Sequence, residues 1–331
     1  MRRIAYLDAV KLVTIYLVIL GHVIQMMVDG LTLGSQLWEI IYSFHMPLFM
    51  ILCGFFLSNR MLRLSFVDML KEKSLQLLLP AITCTAVCCV YLFFARDTVN
   101  LRDEIIGNSW FLKTLFVYYV LFWLLKRIRL NDWLLFLISC ICLFIVPRGS
   151  TLQLNLLWPY FFIGYFLKKY RILDVLNERL YVVPIFALMY IGTYSLQIHF
   201  DVPNYVPINI DSLQHQLHHI LLRYTVALSG SMFVISLVSL IYKRWGNTDV
   251  LNYLASFGKY TLGVYVLQTI LVVNMFPDTF AWRVESRFMF DMVITPSLAV
   301  AILVLCLLII SLLSRNKVLD LLFFGGQYYK R

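Results

Sequence analysis

Apolar residues recur along the chain in runs mostly of about 17 to 24, long enough to cross the roughly 30 Å hydrocarbon core of a bilayer, with shorter runs at 133 and 154. Short charged segments separate the runs. In lipid every backbone N–H and C=O must find its partner inside the protein, so runs of this length fold as transmembrane helices. Composition agrees: 61% of residues are hydrophobic and 14% charged, against about 25% charged in soluble domains. The spacing predicts spans at 5–28, 37–58, 75–95, 109–125, 133–147, 154–167, 181–198, 219–242, 260–276 and 292–313, in an all-α, polytopic membrane domain covering 1–331. The segments between them leave no room for a separate soluble domain. The first helix is too long for a signal-peptide core and lacks a small-residue cleavage site, so it is expected to be retained.

Ten helices put both termini on one side. With that side cytoplasmic, twenty Lys and Arg fall on inner segments and five on outer ones: Arg96, Arg102, Arg148, Arg283 and Arg287. This asymmetry fixes the expected orientation. It also accounts for the net charge of +10, whose basic residues form no single tract of the kind that binds nucleic acid. The seven cysteines, Cys53, Cys84, Cys88, Cys89, Cys140, Cys142 and Cys306, all lie in predicted spans, without zinc-site or disulfide spacing, and read as small hydrophobes.

Three polar residues interrupt the first apolar helix: Asp8, Lys11 and His22. At 100° per residue, Lys11 and His22 lie about 20° apart around the helix and roughly 16 Å apart along it, with Asp8 about 40° from His22. An ionisable residue inside an apolar span costs several kcal/mol unless it faces protein or water, so this stripe marks a functional face. The structural alternative is an Asp8–Lys11 pair near the interface and a single hydrogen bond from His22 inside the bundle. In the second span, from Ser43 to Phe56, Pro47 opens the helical ladder, Gly54 permits close backbone approach, and His45 stands near the outer third of the membrane.

The Leu-x-x-Leu-Gly-His that ends at His22, the basic Lys11 eleven positions before it, and Phe-His-Met-Pro-Leu-Phe followed by Gly54-Phe55 together resemble the acyltransferase 3 family of membrane-bound O-acyltransferases. Further resemblance runs through Asn108–Leu112, Trp158–Lys168 and Gly258–Leu267, and so along most of the chain. The family's Arg-x10-His motif falls on Lys11 and His22. Lys11 stands where Arg is commoner, Cys53 where Ser is frequent, Gln76 where Arg commonly precedes Leu78–Pro80, and Gln268 where His is frequent.

The resemblance implies about ten helices in a bacterial inner membrane and transfer of an acyl group, commonly acetyl from acetyl-CoA, to a hydroxyl of a glycan, a lipid-linked sugar or a small molecule. No permanently bound cofactor is implied; acyl-CoA is the donor substrate. The resemblance makes His22 the catalytic residue, and Asp8, beside Lys11 at the cytoplasmic mouth, is the second catalytic candidate. Lys11, with Arg63, Lys71, Lys73 and Gln76 in and after the basic segment 60–73, forms the candidate acyl-CoA site, because Lys binds phosphate as a point charge. Positive-inside topology alone also predicts that cluster.

On the outer side, candidate supporting or acceptor-binding residues are His45, Trp110, Lys113, His219, Arg223 and Gln268. His215, His218, His219 and Arg223 are expected within one helical run, facing an acceptor sugar or an interfacial polar surface. A metal there lacks any acidic ligand fixed by spacing. The Pro-containing segment 204–209 is the expected lid. The competing reading is a transporter or export protein for a polysaccharide or glycolipid, which an intramembrane polar stripe fits equally well. It is disfavoured because no paired broken helices or inverted repeat are visible.

Overall fold

The computed structural model of the chain describes residues 5–26, 35–95, 100–145, 152–177, 179–206, 208, 210–246, 248–275 and 286–329. Arg2, Arg3, Arg96, Arg148, Arg283, Lys330 and Arg331 of the charge count, and Pro207 and Asn209 of the expected lid, lie outside the described residues. Within them the chain is helical with no strand. Helices stand at all ten predicted places.

Seven of these helices are long and apolar enough to cross a membrane: Ala5–Met26, Gln36–Phe55, Phe66–Ala95, Val182–His199, Leu217–Trp245, Asp249–Met275 and Arg287–Leu313. An eighth arises if Leu101–Gly107 and Trp110–Leu125, bent by 57° at their junction, form one span. Two of the predicted spans are shorter than that test requires: Asp132–Ile145 has 14 residues and Leu154–Lys169 has 16. The chain is therefore a polytopic, all-α integral membrane protein.

It divides into two compact units. The first comprises Met1–Thr14, Glu39–Leu62 and Trp123–Lys259. Here the second helix crosses Leu154–Lys169 at backbone contact: a Cβ added at Gly54 would lie 1.9 Å from the Phe161 carbonyl oxygen, and one at Gly164 2.0 Å from that of Ile51. A glycine on each helix at the crossing is the small-residue packing that lipid-embedded helices favour, since dispersion replaces the hydrophobic effect there. Pro47 lies inside the second helix and has no N–H to offer the Ser43 carbonyl one turn back. Buried Arg223, on Leu217–Trp245, supplies that hydrogen. Its Nη1 donates to Ser43 O, Nη2 to Tyr42 O at 3.0 Å and Nε to Asn204 O at 2.8 Å. Asn204 Nδ2 in turn donates to Glu39 Oε2 at 2.5 Å.

At another end of the same unit, Asp132 accepts from Lys126 Nζ and Lys169 Nζ, both at 2.5 Å, and from Tyr165 Oη at 2.8 Å. Burial alone would raise this carboxyl, but those donors outweigh it and hold the group at about 2.

The second unit comprises Ile15–Trp38, Arg63–Phe122 and Tyr260–Arg331. Its helices depart from α geometry at three π-turns, Ser74–Leu78, Thr269–Met275 and Phe290–Ile294. Cross-helix ties include Tyr16 Oη to Pro296 O at 3.3 Å and Tyr91 Oη to Met275 O at 3.4 Å. After Lys317–Phe324 the chain turns through Gly325 and Gly326, both at positive φ, and brings Tyr328 Oη within 3.2 Å of the Gly263 N–H. Buried Asp320 accepts the Tyr328 N–H on both carboxylate oxygens.

Candidate active site

Asp8, Lys11 and His22 sit on one unbroken helix, Ala5–Met26, as the apolar period requires. Lys11 Nζ pairs with Asp8 Oδ1 at 3.1 Å and stands 3.5 Å from the centroid of the Phe56 ring. Carboxylate and ring face together lower the cost of carrying an ammonium on an apolar helix. Asp8 is buried, and its backbone runs so close to the turn Phe257–Tyr260 that a Cβ on Gly258 would lie 2.0 Å from the Asp8 carbonyl oxygen.

His22 is partly buried, and its Nδ1 lies 2.8 Å from Oε1 of Gln268. Gln268 is completely buried. Its Nε2 donates to the Tyr265 carbonyl at 3.2 Å and to Thr269 Oγ1 at 3.0 Å, while Thr269 Oγ1 donates to Tyr265 O at 2.9 Å. The π-turn Thr269–Met275 begins on the next residue. Asn274, inside that turn, returns Nδ2 to Thr269 O at 2.8 Å and reaches Asn108 Oδ1 at 3.1 Å. Asn108 Nδ2 continues to Glu104 Oε2 at 2.5 Å. A chain of amides thus leads from His22 through Gln268, Thr269, Asn274 and Asn108 to Glu104. Of its members, the sequence reading singled out His22 and Gln268. The signal for Asn274 was present, an amide inside an apolar run, but Asn108 and Glu104 join only through the fold.

The other candidates are distributed as follows. Lys73 Nζ donates to Gln76 Oε1 at 2.8 Å and stands 4.6 Å from the Tyr119 ring centroid. Gln76 lies in the π-turn Ser74–Leu78, against Gly325. Lys71 and Arg63 are exposed, Lys71 in the last turn of the helix Phe66–Lys73, which is capped by Ser65 Oγ on the Asp68 N–H, and Arg63 at the end of Asn59–Arg63. These four belong to the second unit and Lys11 to the first.

His45 is buried, its Nδ1 2.8 Å from Ile41 O on its own helix, and its ring tilts against that of Tyr42 at 4.7 Å. The Ser43 carbonyl freed by Pro47 is taken by Arg223. Trp110 starts its helix directly after Ser109, a non-glycine residue at φ 53°. Lys113 turns back onto the carbonyls of Ile105, Ile106 at 3.5 Å and Asn108 at 2.6 Å, where a cation suits the negative end of Leu101–Gly107.

The expectation of one face carrying His215, His218, His219 and Arg223 is corrected. The helix breaks at Gln216, so His215 ends one helix and the other three sit on the next, Leu217–Trp245. There His218 is exposed, His219 half-buried and Arg223 buried. Gln216 has φ −130°, outside helical values, and no Pro or Gly signals this break in the sequence. Among the described residues no three His, Cys, Asp or Glu side chains gather as a metal site, and the seven cysteines are free.

Comparison with known proteins places this arrangement. The model of the family described as Acyltransferase domain, Acyl_transf_3, matches residues 4–315. Two curated relatives, the nodulation proteins NolL of Sinorhizobium fredii and Mesorhizobium japonicum, are each 32% identical over 173 residues. The match takes in 48% of this chain and 47% and 46% of theirs, so the chain spans about half the length of the curated relatives it matches. No solved structure matches. With a family model covering nearly the whole chain, this protein belongs to the acyltransferase 3 family.

Proposed function

We propose that this protein is an O-acyltransferase of a bacterial cytoplasmic membrane, moving an acyl group, acetyl in the simplest case, from acyl-CoA to a hydroxyl of a glycan or lipid-linked sugar. The observation that carries this reading is the partly buried His22, inside an apolar span of a chain with an acyltransferase-family match, its imidazole held at 2.8 Å by a fully buried amide.

A thioester is already activated. The chemistry then needs a base for the acceptor hydroxyl, stabilisation of the tetrahedral oxyanion and exclusion of water. His22 takes the hydroxyl proton as the oxygen attacks the thioester carbonyl, and returns it to the departing thiolate as the C–S bond breaks. An intramembrane position keeps water from hydrolysing the thioester first. Along the same helix, Lys11 lies roughly 16 Å from His22, a rise that suits an extended pantetheine arm with its phosphates at the Lys11 end. An acyl-His22 intermediate is the variant of this mechanism in which His22 acts as nucleophile.

The test is binding of radiolabelled acetyl-CoA to the detergent-solubilised protein. Saturable binding, weakened about tenfold by Lys11→Ala and spared by His22→Ala, supports the assignment. A folded wild-type protein that binds no acyl-CoA refutes it and returns the transporter reading.

A further inference from the structure

The hydrogen bonds around Gln268 orient its amide without ambiguity. Both hydrogens on Nε2 have acceptors, Tyr265 O at 3.2 Å and Thr269 Oγ1 at 3.0 Å, and the Thr269 hydroxyl hydrogen is itself committed to Tyr265 O. Turning the amide over would set its oxygen against the Tyr265 carbonyl, acceptor against acceptor, in a completely buried position. Oε1 must therefore face His22, and a carbonyl oxygen only accepts. The imidazole nitrogen 2.8 Å away, Nδ1, must carry a hydrogen. In a neutral ring that leaves Nε2 bare. Among the described residues Nε2 has no hydrogen-bond partner, and the side chain is only partly buried.

We propose that Gln268 is a positioning residue that fixes the tautomer of His22, so that Nε2 is the reacting nitrogen and Nδ1 stays protonated throughout transfer. The inference rests on His22 acting as base in acyl transfer from a thioester. The step balances. The Nε2 lone pair accepts the hydroxyl proton of the acceptor, whose oxygen bonds to the thioester carbonyl carbon. The tetrahedral intermediate then collapses with cleavage of the C–S bond, and Nε2–H returns its proton to the thiolate. Ester and free thiol leave, and the ring is again neutral with its hydrogen on Nδ1. During the imidazolium stage the Gln268 oxygen still accepts from Nδ1–H, so the contact strengthens as charge develops. Position 268 needs an acceptor aimed at Nδ1 and a backing that stops it turning, and Thr269 with the Tyr265 carbonyl supplies the backing.

The experiment is ¹⁵N NMR of histidine-labelled protein in lipid, in which protonated and bare ring nitrogens resonate far apart. The His22 signals are identified by their loss in His22→Asn. Wild type is expected to show Nδ1–H and bare Nε2. Gln268→Leu, close in size and without an acceptor, should mix the tautomers and lower kcat about 10- to 100-fold with KM for acyl-CoA within about twofold. Gln268→Glu, as a neutral acid whose O–H replaces the Nε2 donor to Tyr265 O, keeps a carbonyl oxygen on Nδ1–H, so it should retain the wild-type tautomer and recover part of kcat. Thr269→Val loosens only the backing and gives a smaller change in the same direction, which keeps the test alive should Gln268→Leu fail to fold.

The proposal is overturned by Nε2–H in wild type, by an unchanged tautomer in a folded Gln268→Leu protein, or by mixed tautomers with wild-type kcat. Should His22→Asn transfer acyl groups at the wild-type rate, the base assignment fails instead. The NMR result still reports the tautomer by itself, so the two failures are distinguishable.

Discussion

Arg223→Met removes the guanidinium that closes the gap left by Pro47. The buried Ser43 carbonyl loses the donor that stands in for the missing N–H, and the carbonyls of Tyr42 and Asn204 each lose one hydrogen bond. A hydrogen bond to a charged group contributes about 1.5–3 kcal/mol net, and a carbonyl left unpaired costs about 1–3 kcal/mol. Against this, methionine escapes the several kcal/mol needed to desolvate the guanidinium. The balance is a loss of about 2–4 kcal/mol, or roughly 3–6 °C in Tm for a chain of this size. The mechanism is specific to Pro47, so a double-mutant cycle isolates it. Pro47→Ala restores an N–H one turn below Ser43 O. In the Arg223→Met background it should recover about 1–2 kcal/mol that it does not contribute beside Arg223. Unfolding of the four proteins, followed by tryptophan fluorescence in one detergent, measures the coupling. Additive effects, within about 0.5 kcal/mol, would show that Arg223 does not compensate for the proline.

Other outcomes follow from the same geometry. Gly54→Ala drives a methyl into the Phe161 carbonyl, which is backbone and cannot swing away, so it should cost about 3 kcal/mol or abolish recovery of folded protein in a size-exclusion assay. Asp132, held at about 2 against an ordinary 3.8, stabilises the fold above pH ~4. That contribution, about 2 kcal/mol, fades as pH falls through about 2, and a Tm–pH scan of Asp132→Asn should be flatter than wild type over this window. Lys113→Met leaves the carbonyls ending Leu101–Gly107 without their cation and should lower Tm by a few degrees.

Helix positions were legible because apolar periodicity and span length are local properties. The ten predicted places all carry helices, although Asp132–Ile145 and Leu154–Lys169 are shorter than a full crossing. The close approach at Gly54 was legible for a similar reason, since only glycine admits backbone contact between helices. What escaped the sequence depends on partners distant in the chain. Arg223 lies 180 residues from Ser43, and nothing local to either predicts the pairing. The break at Gln216 lies at a residue with no turn signal of its own. The three π-turns insert an extra residue per turn into sequences that read as ordinary apolar helix. At the candidate site, His22 stood out as an ionisable residue in an apolar run. Gln268 stood out as a replacement for a frequent histidine, and its contact with His22, 246 residues away, needed the fold.

The most direct measurement of the central claim is single-turnover loss of the acetyl-CoA thioester bond by purified protein, with a polyhydroxylated acceptor present, in wild type and His22→Ala. The account predicts acetyl ester appearing with free thiol in wild type, and neither above the uncatalysed rate in a folded, acetyl-CoA-binding His22→Ala protein. Equal ester formation by the two proteins would contradict it.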